Sequence, residues 1–73
     1  MQIDVQERND PDTGGWEVFF KDGDFQTMRY IIPINGLFYA VNPFKLEQSP
    51  VFPDKGAAMT FLINSVDEQR RLC

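Results

Sequence analysis

Three turn signals fall within the first 36 residues and leave room only for short segments between them. Arg8 to Gly15 (RNDPDTGG) is dense in Asn, Asp, Pro and Gly. Asp22-Gly23 and Asn35-Gly36 are dipeptides favoured in tight hairpins, because both residues tolerate positive φ. The intervening residues alternate as strands do. Ile3 and Val5 alternate with Gln2, Asp4 and Gln6. Trp16, Val18 and Phe20 point one way, and Glu17, Phe19 and Lys21 the other. A third strand is expected near Phe25 to Ile32, with Met28, Tyr30 and Ile32 on one face. Pro33 cannot donate to a ladder, so it ends that strand or sits on an edge. Leu37 to Val41 is apolar on both faces and reads as a central or covered fourth strand.

Asn42-Pro43 breaks the pattern, and Pro50 and Pro53 exclude helix from an extended connection over 42–53. One helix is expected over about 54–69, with Asp54 as its N-cap. Ala58, Phe61, Leu62 and Ser65 form one stripe, and Met59, Leu62, Ile63 and Val66 the adjoining one, a broad face able to cover a sheet. The expected architecture is α+β: a small antiparallel β-sheet of three or four hairpin-linked strands, covered by one C-terminal α-helix. All 73 residues form one small domain. One helix cannot cover every aromatic. Of Phe19, Phe25, Phe38, Phe44 and Phe52, some pack beneath the connection or stay exposed as a docking surface.

The chemistry is constrained by what is missing. There is no His, and the one Cys is Cys73. Most enzyme chemistry near neutral pH uses an imidazole, an activated thiol or a metal held by those ligands. Ser49, Ser65, Thr13, Thr27 and Thr60 have no imidazole to activate them. Asp10-Pro-Asp12-Thr-Gly14 superficially resembles the start of a calcium loop. However, Gly14 takes the fifth position and Lys21 the twelfth, where an acid is required. Asp22 and Asp24 sit at a hairpin tip, where turn chemistry accounts for them better than an acid–base pair does. Gly14-Gly15 lacks phosphate-loop spacing. The expectation is a non-enzymatic domain with no cofactor and no metal.

The net charge is −4, unevenly spread. Residues 1–24 hold seven acids (Asp4, Glu7, Asp10, Asp12, Glu17, Asp22, Asp24) against Arg8 and Lys21. Backbone contact with nucleic acid needs clustered Lys and Arg, which this chain lacks. A negative face suits a basic partner instead. No secretory signal or bilayer-length apolar run is present, so a soluble, cytoplasmic monomer is expected, with no membrane partner. The candidate partner-binding residues are Ile3, Asp4, Val5, Glu7 and Arg8 in the first strand, and Trp16. The strand could add to or pack on a partner sheet, or pair within the domain. Trp16 is a frequent hot-spot residue type.

In size, charge and layout the chain resembles the small bacteriophage-encoded regulators that bind host RNA polymerase. The resemblance rests on the acidic stretch MQIDVQERNDPD, the small sheet and the helix from about Asp54. It implies binding to the largest catalytic subunit of the bacterial polymerase in the host cytoplasm. Interference with sigma-factor attachment and suppression of termination would follow. Two other readings remain open: an acidic nucleic-acid mimic that inhibits a host defence or DNA-binding enzyme, and an accessory interaction module.

Overall fold

The computed structural model describes residues 3–46 and 49–72. Gln2 and Cys73, which entered the sequence reading, lie outside them. The elements run β1 (Asp4–Asp10), β2 (Gly15–Asp22), β3 (Phe25–Ile34), β4 (Leu37–Val41), β5 (Val51–Phe52) and α1 (Lys55–Leu72). The strands form one antiparallel sheet in the order β1-β2-β3-β4-β5, with the helix packed against one face. This is the expected α+β fold with one strand more than foreseen. Two residues of the expected extended connection, Val51 and Phe52, pair with Tyr39 and Phe38.

The turns set the register. Ile34 pairs with Leu37, so Asn35-Gly36 is a two-residue loop with φ of 55° and 79°, as a type I′ turn requires. Asp22 pairs with Phe25, so the second tight loop is Gly23-Asp24, with Gly23 at φ 60°. Glycine in the first central position is the type II′ arrangement, so this turn is centred one residue later than Asp22-Gly23. The β1–β2 loop is held by Asp10. Its carboxylate accepts from the Asp12 N–H (3.1 Å) and the Thr13 hydroxyl (3.0 Å), and its carbonyl accepts from the Gly14 N–H (2.9 Å). Asp10 is thus occupied in local turn bonding.

Pro33 lies within β3, paired with Phe38. The last β2–β3 pair is Trp16 with Ile31, so at Pro33 the strand has β4 alone as a neighbour and no ladder bond is lost. Gly15 crosses close to this point. A Cβ there would stand 2.0 Å from the Ile31 carbonyl oxygen and 2.9 Å from Pro33 Cδ.

The register places Trp16, Val18 and Phe20 beside Ile31, Arg29 and Thr27, and Ile31 beside Ala40. These positions share the face that α1 covers. The core is Val18, Phe20, Ile31 and Ala40 from the sheet against Ala58, Leu62 and Val66 from the helix. Ile3, Trp16, Phe25, Phe38, Phe52 and Met59 pack around it. Asp54 caps the helix as expected, its carboxylate accepting from the Ala57 N–H at 2.7 Å. Arg70 near the helix C-terminus reaches Asp22 on the sheet at 3.1 Å and Asp67 on its own helix at 2.6 Å. No helix of the described residues is long and apolar enough to cross a membrane.

Candidate protein-docking surface

The alternation that fills the core also fills the opposite face of the sheet. Phe19 pairs with Met28, Tyr30 with Val41, Ile32 with Tyr39, and Ile34 with Leu37, all in the phase opposite to the core. Val51 extends this row beside Tyr39. No helix or strand among the described residues lies over it, because α1 packs on the other face. Phe19, Ile34, Leu37 and Val51 are 36–48% exposed, and Met28, Tyr30, Ile32, Tyr39 and Val41 are half-buried among their neighbours. An apolar, aromatic surface spanning four strands is the kind that docks a partner.

Charge borders this face on the β1 side. Asp4, Gln6 and Arg8 stand beside Lys21, Phe19 and Glu17. Arg8 donates to Glu17 at 2.7 Å and 2.9 Å, and its guanidinium lies 5.4 Å from the centre of the Phe19 ring. A depression of about 490 Å³ opens here, with Asp4, Phe19, Lys21 and Gln26 in its lining.

The six residues expected to bind a partner divide between the two sides of the sheet. Asp4 and Arg8 border the uncovered face. Val5 and Glu7 pair with Phe20 and Val18, which puts them on the helix side, and Ile3 packs against the core. Glu7 is tied to Lys55 at 2.6 Å. Trp16 is half-buried, 6.2 Å from the Phe38 ring, with Lys55 Nζ 4.2 Å from its ring centre. Trp16 and Lys55 therefore fasten the start of α1 to the sheet. The first strand does pair within the domain, along β2. It is also the edge of the sheet, so its outer backbone groups remain open to an added strand.

Residues Met28, Tyr30, Ile32, Ile34, Leu37, Tyr39 and Val51 were not among the expected binding residues. The signal lay in Leu37 to Val41, apolar in both phases, and in Met28-Tyr30-Ile32, an apolar row out of phase with the core. Of the five phenylalanines in question, Phe25, Phe38 and Phe52 pack on the core, and Phe19 and Phe44 are exposed.

The acids of the first third are largely spent or dispersed. Glu7, Glu17 and Asp22 are ion-paired with Lys55, Arg8 and Arg70. Asp12 and Asp24 sit in loops at opposite ends of β2. Compared with protein-family models, curated proteins and solved structures, the chain matches none.

Proposed function

We propose that this protein is a non-enzymatic, protein-binding regulator that docks through the uncovered face of its sheet. The observation that carries this reading is the apolar row from Phe19 across Met28, Tyr30, Ile32 and Tyr39 to Val51, left without a covering layer. Large aromatic and aliphatic side chains held in place by a sheet lose little entropy on binding, which favours them as anchors. Arg8, Glu17, Asp4 and Lys21 form a charged rim beside the row, suited to orienting a partner. The resemblance to bacteriophage regulators supplies the partner to test first: bacterial RNA polymerase, through its largest catalytic subunit, with loss of sigma-dependent initiation as the readout. The nucleic-acid-mimic reading has less support, because paired and dispersed carboxylates make no continuous phosphate-like surface.

The test is capture of purified polymerase at low salt by wild type, Leu37→Lys and Val51→Lys. Both changes are at exposed positions and leave the core intact. Each should weaken capture at least about tenfold, as expected when an anchor contact is lost. Reversal of Asp4 to Lys should weaken it less, at the rim. Failure of the folded wild type to bind polymerase removes the assigned partner. Unchanged capture by folded Leu37→Lys and Val51→Lys removes the assigned surface.

A further inference from the structure

The helix side of the sheet carries a second feature that docking through the other face does not use. Arg29 points inward from β3 and is only 2% exposed, among the core residues of the sheet. Its partners among the described residues are all neutral. Nη1 donates to the Thr27 hydroxyl and the Met28 carbonyl, both at 2.7 Å, and Nη2 donates to the Gln69 side-chain oxygen. No carboxylate among the described residues lies within ion-pair distance of it. A buried cation without a counter-charge is costly, and burial holds its pKa below the usual arginine value. Anchoring Gln69 alone would not require a charge.

A guanidinium has five N–H donors, and three are used among the described residues. Nη1 is fully committed, which leaves Nε–H and one Nη2–H. Arg29 forms part of the wall of a groove of about 350 Å³ between the β4–β5 connection and the C-terminal half of α1. Lys45 supplies a second cation at the groove. Asn42 accepts from the Phe44 N–H through Oδ1, which leaves its amide N–H₂ to donate. Phe44, 72% exposed and 6.0 Å from the Arg29 guanidinium, and Leu72 provide apolar walls. Glu68 also lines the groove, so Arg29, Lys45 and Glu68 sum to a single positive charge.

The geometry points to this groove as a binding site for a monocarboxylate carried on a short apolar body, either a free acid or a peptide C-terminus. Two remaining guanidinium donors match the two oxygens of a carboxylate. Lys45 adds attraction, Phe44 and Leu72 receive the apolar body, and Glu68 disfavours a doubly charged phosphate. The site is separate from the uncovered sheet face, so its fate is independent of the docking reading.

The test is a titration of the ¹⁵N-labelled full chain at constant ionic strength, following the Arg29 Nε–Hε resonance. The probes are N-acetyl-leucine, N-acetyl-leucinamide, butyrate and inorganic phosphate. A saturable shift with N-acetyl-leucine, none with its amide, and weaker binding of phosphate are expected. Tighter binding of N-acetyl-leucine than of butyrate identifies a peptide terminus, and equal binding identifies a free acid. Lys45→Ala, at an exposed position, should weaken binding roughly two- to fivefold, the range of an exposed ion pair. Arg29→Lys, followed through the backbone amide resonances of Lys45 and Gln69 at the groove, should abolish it. Should that variant fail to fold, the Lys45→Ala comparison and the amide control still decide. No saturable shift, an equal response to the amide, phosphate binding as tightly as the acid, or unchanged affinity in Lys45→Ala overturns the site.

Discussion

Single atoms decide the outcome at several positions. Gly15 has no positive φ to explain it, but a Cβ at this site would overlap the Ile31 carbonyl. Gly15→Ala is therefore expected to lower stability by about 1–3 kcal/mol through overpacking against backbone, measured as a reduced urea midpoint with unchanged m-value. Asp67 gives a pH prediction. Its pKa is lowered, first by the hydrogen bond from Arg70, then by the charges of Arg71 and Arg70, with partial burial opposing. A carboxyl depressed in the folded state stabilises above its unfolded pKa of about 3.9 and loses that contribution as pH falls below it. Thermal melts from pH 5 to pH 2 should drop less steeply in Asp67→Asn than in wild type. Arg29 was legible in principle. Either placement of the Gly23 turn puts Phe25, Thr27, Arg29 and Ile31 in phase with Val18 and Phe20. Met28, Tyr30 and Ile32 share the other face, and hydropathy alone does not say which of the two rows the helix takes.

Among the elements, β4 was read with its observed bounds, because Asn35-Gly36 and Asn42-Pro43 bracket it. α1 begins where Asp54 and Pro53 place it, and runs on to Leu72. β5 was not legible. Two residues carry no period, and Val51-Phe52 pairs only because the connection returns along β4, with the Ala40 N–H donating to the Pro50 carbonyl at 2.9 Å. The apolar seam of α1 carries the packing. Leu62→Ala should cost about 2–5 kcal/mol, since Leu62 is 1% exposed in the centre of the core. Lys55→Ala should cost less, about 0.5–1.5 kcal/mol, from one partly exposed ion pair with Glu7 and one cation–π contact with Trp16. Chemical denaturation of the two variants side by side checks the order.

For the whole molecule, two layers leave the sheet with one packed and one bare side. The native protein is therefore expected to bind the apolar dye ANS at neutral pH while retaining a sharp near-ultraviolet CD spectrum. Leu37→Lys and Val51→Lys should each reduce that fluorescence without lowering the melting temperature by more than a few degrees. A dye signal that appears only together with loss of near-ultraviolet CD would instead report unfolding. The strand order carries a different consequence. Every strand pairs with its neighbour in sequence, and no crossover interrupts the series. Each hairpin can zip as soon as its own residues are available, so the search for partners is short and folding should be fast. The stabilising layer, however, is translated after all five strands. Until α1 docks, a paired sheet would expose both of its apolar sides, so helix docking is expected to be the step that removes aggregation-prone surface during folding.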